Sequence, residues 1–110
     1  MADYTIRIEL HGVSREQYGP LHDAMFAIGA TTTITGDDGR VHRLPPGEYN
    51  LVGSALSCTE VRDVAQHIAA RFCQDPGVLV DEVLRRAWSL PVVSNSLVEL
   101  SPLVRSLLTP

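Results

Sequence analysis

The side chains in this sequence with chemistry to offer are four histidines, His11, His22, His42 and His67, and a scattered set of arginines. His11 ends an alternating segment on the same side as Arg7 and Glu9, and His42 sits between Arg40 and Arg43. Imidazole beside guanidinium suits phosphodiester cleavage. One imidazole takes the 2′-hydroxyl proton while an arginine steadies the charge developing on the phosphate. The commoner fate of such residues is as plain polar groups on a solvated or dimer-buried sheet face, and both readings stand here. Glu9 could join a metal site if a symmetry mate supplied a second carboxylate, but pairing with Arg7 or a neighbouring strand is more usual. Asp37 and Asp38, between Gly36 and Gly39, read as a hairpin turn rather than a metal loop. His67 falls on the wet face of a helix. A phosphate-binding glycine loop, a nucleophile elbow, a zinc helix motif and paired CxxC are all missing, so no metal or cofactor is expected.

The elements that must position these residues can be read in order. In residues 4–10, Tyr4, Ile6, Ile8 and Leu10 alternate with Thr5, Arg7 and Glu9, the pattern of a strand with one wet face. Ser14 and Gln17 form a capping box, and Tyr18, Leu21, Met25 and Ile28 share a helical face. Pro20 inside that helix would remove a hydrogen bond, unless the helix begins near Tyr18. Gly29 is its stop. A Thr-rich strand (30–35), a turn, residues 40–44 and the break Pro45-Pro46-Gly47 follow. Residues 48–54 predict the next long strand. Ser57 and Glu60 cap the strongest helix, whose buried stripe is Val61, Val64, Ala65, Ile68 and Phe72. Residues 78–88 mix strand and helix formers, and their place in the order selects a strand.

These elements predict an α+β fold: a ferredoxin-like βαββαβ sandwich, with a four-stranded antiparallel sheet and two helices on one face. The domain is expected to span 1–90. An apolar C-terminal extension, 91–110, contains Leu103, Val104, Leu107 and Leu108, and is expected to dock on the domain or on a partner subunit.

With 110 residues, 45% of them hydrophobic and 20% charged, the chain suits one globular domain. No apolar run approaches the ~20 residues of a membrane span, and the N-terminus lacks a signal-peptide layout, so a cytoplasmic location and no membrane partner are expected. Cys58 and Cys73, placed on one predicted helix, are too far apart to bridge. The net charge of −4, with nine arginines and no lysine, argues against nonspecific coating of RNA or DNA. A local Arg/His site remains compatible with it, because arginine grips phosphate in a planar fork.

The residue order 4–10, then Leu21-His22-Asp23-Ala24-Met25-Phe26, Thr31 to Gly39, Arg43-Leu44-Pro45, Ser54-Ala55-Leu56 and Glu60 to Val64 resembles one known family. It is similar to the endoribonuclease antitoxins of the GhoS family of type V toxin–antitoxin systems, which are distantly Cas2-like. The resemblance covers about residues 4–85 and rests mostly on apolar and turn positions. It implies a homodimer that cleaves single-stranded mRNA without a metal, and it implies no DNA target. On this reading His22 and His11 are the catalytic proton carriers, and Arg7, Arg40, His42 and Arg43 hold the substrate. The family carries Arg in its first helix where this chain has His22, and Cas2-like chemistry expects Asp where this chain has Glu9. The alternative expectation is a non-catalytic ferredoxin-like module for dimerisation or protein binding.

Overall fold

The computed structural model describes residues 1–94. Alternation in the first segment produces β1 (Ala2–Glu9), whose Tyr4, Ile6 and Ile8 are buried while Arg7 and Glu9 are exposed. The Ser14–Gln17 box caps a single 3₁₀ turn, Arg15–Gln17, with the Ser14 N–H donating to Gln17 Oε1 at 2.9 Å. Helix α1 (Tyr18–Phe26) therefore starts at Tyr18, which leaves Pro20 in the first turn, where its missing N–H costs nothing. It closes with two bonds of the Schellman type, Gly29 N–H to Phe26 O at 2.9 Å and Ala30 N–H to Met25 O at 3.0 Å. Strands β2 (Thr33–Thr35), β3 (Val41–Arg43) and β4 (Glu48–Ser54) follow, then α2 (Cys58–Ala69), β5 (Gly77–Glu82) and β6 (Val92–Ser94).

The expected four-stranded sheet is not what forms. The strands make two three-stranded antiparallel sheets: a main sheet in the order β4-β1-β5 and a small sheet in the order β2-β3-β6. The Thr-rich segment bridges to β4 at Thr31, which exchanges N–H···O bonds of 2.9 and 2.8 Å with Asn50. Beyond Thr31 the hairpin's two strands bond each other, with Thr33 opposite Arg43 and the Leu44 N–H on Thr32 O at 2.9 Å, and the outer edge of β3 goes to β6. Pro45 and Pro46 then offer no N–H to prolong a ladder. The strand expected over 78–88 is also shorter: it is β5, Gly77–Glu82, and it leaves β1 two residues short of the Ala2 end. Tyr4 opposite Glu82 is the last register pair, and the Val83 N–H ends the ladder on Asp3 O at 2.8 Å. Residues 83–90 then run without regular structure to β6, which pairs with β3. The rest of the predicted extension, from residue 95, lies outside the described residues.

Both helices cover the same face of the main sheet. Leu21 and Met25 of α1 join Val61, Ala65, Ile68 and Ala69 of α2 over Tyr4, Ile6, Ile8, Tyr49 and Leu51 in one core. Fully burying one such Leu, Ile or Met side chain is worth roughly 1.5–3 kcal/mol, so this layer fixes the helices on the sheet. The α2 cap is complete: the Ser57 N–H donates to Glu60 Oε1 at 2.9 Å, and the Glu60 N–H to Ser57 Oγ at 3.2 Å. Cys58 and Cys73 are free thiols, and Cys73 falls beyond the end of α2. Among the described residues no helix is long and apolar enough to cross a membrane.

Candidate functional site

The six predicted site residues separate into three places. Arg7 projects from the open face of the main sheet, its Nε 3.4 Å from Glu48 Oε1 across the β1–β4 pair. His11 follows β1 and sets its Nε2 2.8 Å from Glu9 Oε1, with both groups exposed. Arg7 and Glu9 share the wall of a hollow of about 520 Å³ with Tyr18 and Glu48. His22 belongs to the opposite, helix-covered side. Its Nδ1 is 2.6 Å from Tyr49 Oη, and the two rings meet edge-on with centroids 5.5 Å apart. Burial holds the His22 imidazole below its usual value, and the Asp23 carboxylate pulls weakly the other way. Burial, helped by Tyr18, pushes the Tyr49 phenol well up, so it stays protonated.

Arg40, His42 and Arg43 lie at or in the small sheet. Arg40 is turned onto Asp38, N–H to Oδ1 at 2.9 Å and Nε to Oδ2 at 3.6 Å, which makes Asp38 a turn-forming residue. Arg43 is exposed at the end of β3. His42 donates from Nδ1 to Leu90 O at 3.1 Å, since a carbonyl can only accept. Its ring stands edge-on to Trp88 with centroids 5.8 Å apart. Among the described residues no three His, Cys, Asp or Glu side chains gather as a metal set.

His42 is the one predicted residue that lines the larger concavity, a groove of about 910 Å³. Asp3, Asn50 and Val52 of the main sheet face Ile34, the turn 35–38 and His42 of the small sheet, and residues 83–88 run along it. Sequence reasoning missed its organising contacts. Arg86 reaches back to donate from Nη1 to Asn50 Oδ1 at 2.8 Å, and Asn50, only 9% exposed, is the one buried polar residue among those described. Trp88 packs over the turn so closely that a β-carbon on Gly36 would lie 3.4 Å from its Cζ2. The available signals were an Asn inside an apolar strand and the chain's single tryptophan, read there as part of a strand.

In sum of charge the groove sets three carboxylates, Asp3, Asp37 and Asp38, against two guanidiniums, Arg85 and Arg86. Its apolar side chains include Ile34, Val52, Val83, Leu84 and Trp88. Asp38 is already paired with Arg40, so the remaining charges are close to balanced. Compared with protein-family models, with curated proteins and with solved structures, the chain has no match.

Proposed function

We propose that this chain is a non-catalytic binding module of ferredoxin-like build, whose groove receives an apolar protein segment carrying positive charge. The ferredoxin-like reading is supported by element order and by the β4-β1-β5 sheet, with the Thr31–Asn50 bridge standing where a second strand would flank β4. The groove carries the functional reading. A phosphate backbone would meet Asp3 and Asp37 there as well as Arg85 and Arg86, so the lining offers a polyanion no excess of cations. The chain's net charge of −4 favours a basic partner, and Trp88 beside His42 is the aromatic anchor such interfaces favour. Trp88 is the only tryptophan, so its emission reports occupancy directly. Short leucine-rich peptides flanked by lysines should shift that emission and bind at least tenfold tighter than glutamate-flanked ones. Equal affinity for both would defeat the charge assignment, and no shift with either would defeat the groove.

A second reading, a GhoS-like endoribonuclease antitoxin acting as a cytoplasmic homodimer on single-stranded mRNA, is favoured by His22. A half-buried histidine with a perturbed acidity and a bound partner is the kind of group catalytic sites use. Labelled single-stranded RNA, incubated with and without EDTA beside a His22→Ala variant, separates the two. Cleavage that survives EDTA and falls in the variant supports the nuclease. Intact RNA throughout supports the module.

A further inference from the structure

We propose that the Tyr49–His22 hydrogen bond is a pH-sensitive latch between β4 and α1: Tyr49 Oη–H donates to the unprotonated Nδ1 of His22, and protonation of the ring reverses the bond, strands the buried hydroxyl hydrogen and so weakens the latch. The direction of the bond follows from hydrogen-bond accounting. Tyr49 is 0% exposed, and its hydroxyl has His22 Nδ1, at 2.6 Å, as its hydrogen-bond partner. A phenol is both donor and acceptor, and a neutral imidazole nitrogen is one or the other. If Nδ1–H were the donor, the hydroxyl hydrogen would be left without an acceptor inside the core, the more costly kind of vacancy. With Tyr49 donating, both groups are satisfied and the ring is the Nε2–H tautomer. His22 therefore offers a donor from Nε2, not a base.

The neighbours reinforce that state. From α1, Tyr18 and Asp23 face the ring, and from β4, Tyr49 does. Tyr18 Oη accepts the Leu10 N–H at 2.9 Å, and its ring stands 6.4 Å from that of His22, centroid to centroid. Asp23 favours the charged ring, but burial outweighs it. Once Nδ1 gains a proton, the hydroxyl must turn to accept from it and its own hydrogen is left without an acceptor in the core, while α1 keeps the Tyr18–Leu10 bond and its apolar tie through Leu21 and Met25. The sign is fixed. The ring is neutral and the latch intact above the ordinary 6.5, and the latch weakens as pH falls through a folded value beneath it.

The test is ¹⁵N-histidine NMR on the full chain from pH 8 to 4.5, with amide exchange read in parallel. At pH 8 the His22 nitrogens should show the Nε2–H pattern, with a titration midpoint below 6.5. Through that midpoint, amides of Tyr18–Phe26 should exchange at least fivefold faster, relative to those of Cys58–Ala69. Tyr49→Phe, which removes the bond to the neutral ring, should raise the midpoint. An Nδ1–H pattern at pH 8, a midpoint at or above 6.5, or unchanged relative exchange in α1 would each overturn the latch. All three are read on the unaltered protein, so the outcome does not require Tyr49→Phe to fold.

Discussion

Replacing Gly47 by alanine probes the seam on which the main sheet closes. Gly47 has φ +83°, and its carbonyl accepts the Ile8 N–H at 2.8 Å. A β-carbon there would lie 2.7 Å from Ile8 O, a backbone atom that cannot swing aside. Two costs add. Left-handed backbone costs an L-residue roughly 1–2 kcal/mol, and pushing β1 from β4 to relieve the contact weakens a ladder bond worth about 1 kcal/mol. Against these, alanine stiffens the unfolded chain by about 0.4–1 kcal/mol. A net loss of about 1–3 kcal/mol is expected. Gly53 is the control, with φ +66° and open space around its β position. Gly53→Ala therefore carries the backbone cost alone, largely offset by the unfolded-state gain, for a net loss of about 1 kcal/mol or less. Urea unfolding followed by far-UV circular dichroism measures both, and an unchanged m-value licenses the comparison. Equal losses for the two variants would refute the close approach at Gly47.

Other perturbations test separate parts of the fold. Ser57→Ala should cost about 1 kcal/mol by urea unfolding, as expected for loss of an N-cap. The Ser57 backbone and side-chain hydrogen bonds hold the Glu60 carboxyl below its usual 4.5. The stability this gives is present above 4.5 and disappears as pH falls through the lowered folded value; Ser57→Ala keeps the backbone N–H, the larger cause, so it should flatten the acid limb of the stability profile only in part. Arg86→Ala leaves buried Asn50 Oδ1 without its partner. A loss of about 1–2 kcal/mol is expected, with a red shift of Trp88 emission as the segment 83–88 loosens over the groove. An unchanged spectrum would show that Arg86 does not hold that segment.

Local patterns were readable where hydrogen bonds and burial are settled within a few residues. The Tyr4, Ile6, Ile8 alternation, the Ser57–Glu60 cap and the start of α1 at Tyr18 all follow from neighbours in sequence. Residues 48–54 form a strand for the same reason. The split into two sheets was not readable. It depends on where the backbone groups after Thr31 find partners, and Val92–Ser94, far along the chain, supplies the third strand of the small sheet. The site suffered the same way. His22 and Tyr49 are 27 residues apart, and a tyrosine in an apolar alternation gives no sign of which group will take its hydroxyl. Arg7, His11 and Arg40 looked like phosphate ligands or proton carriers because their carboxylate neighbours Glu48, Glu9 and Asp38 are visible as partners only once folded. Trp88 became part of a groove because β5 ends at Glu82 and the chain then crosses to pair β6 with β3.

The most direct test of the binding-module account is a titration of Trp88 emission with a lysine-flanked leucine-rich peptide and, in parallel, with single-stranded RNA at low and high salt. The account predicts a saturable shift with the peptide, and neither a shift nor cleavage with RNA. An RNA-induced shift that weakens steeply with salt, accompanied by EDTA-resistant cleavage, would contradict it.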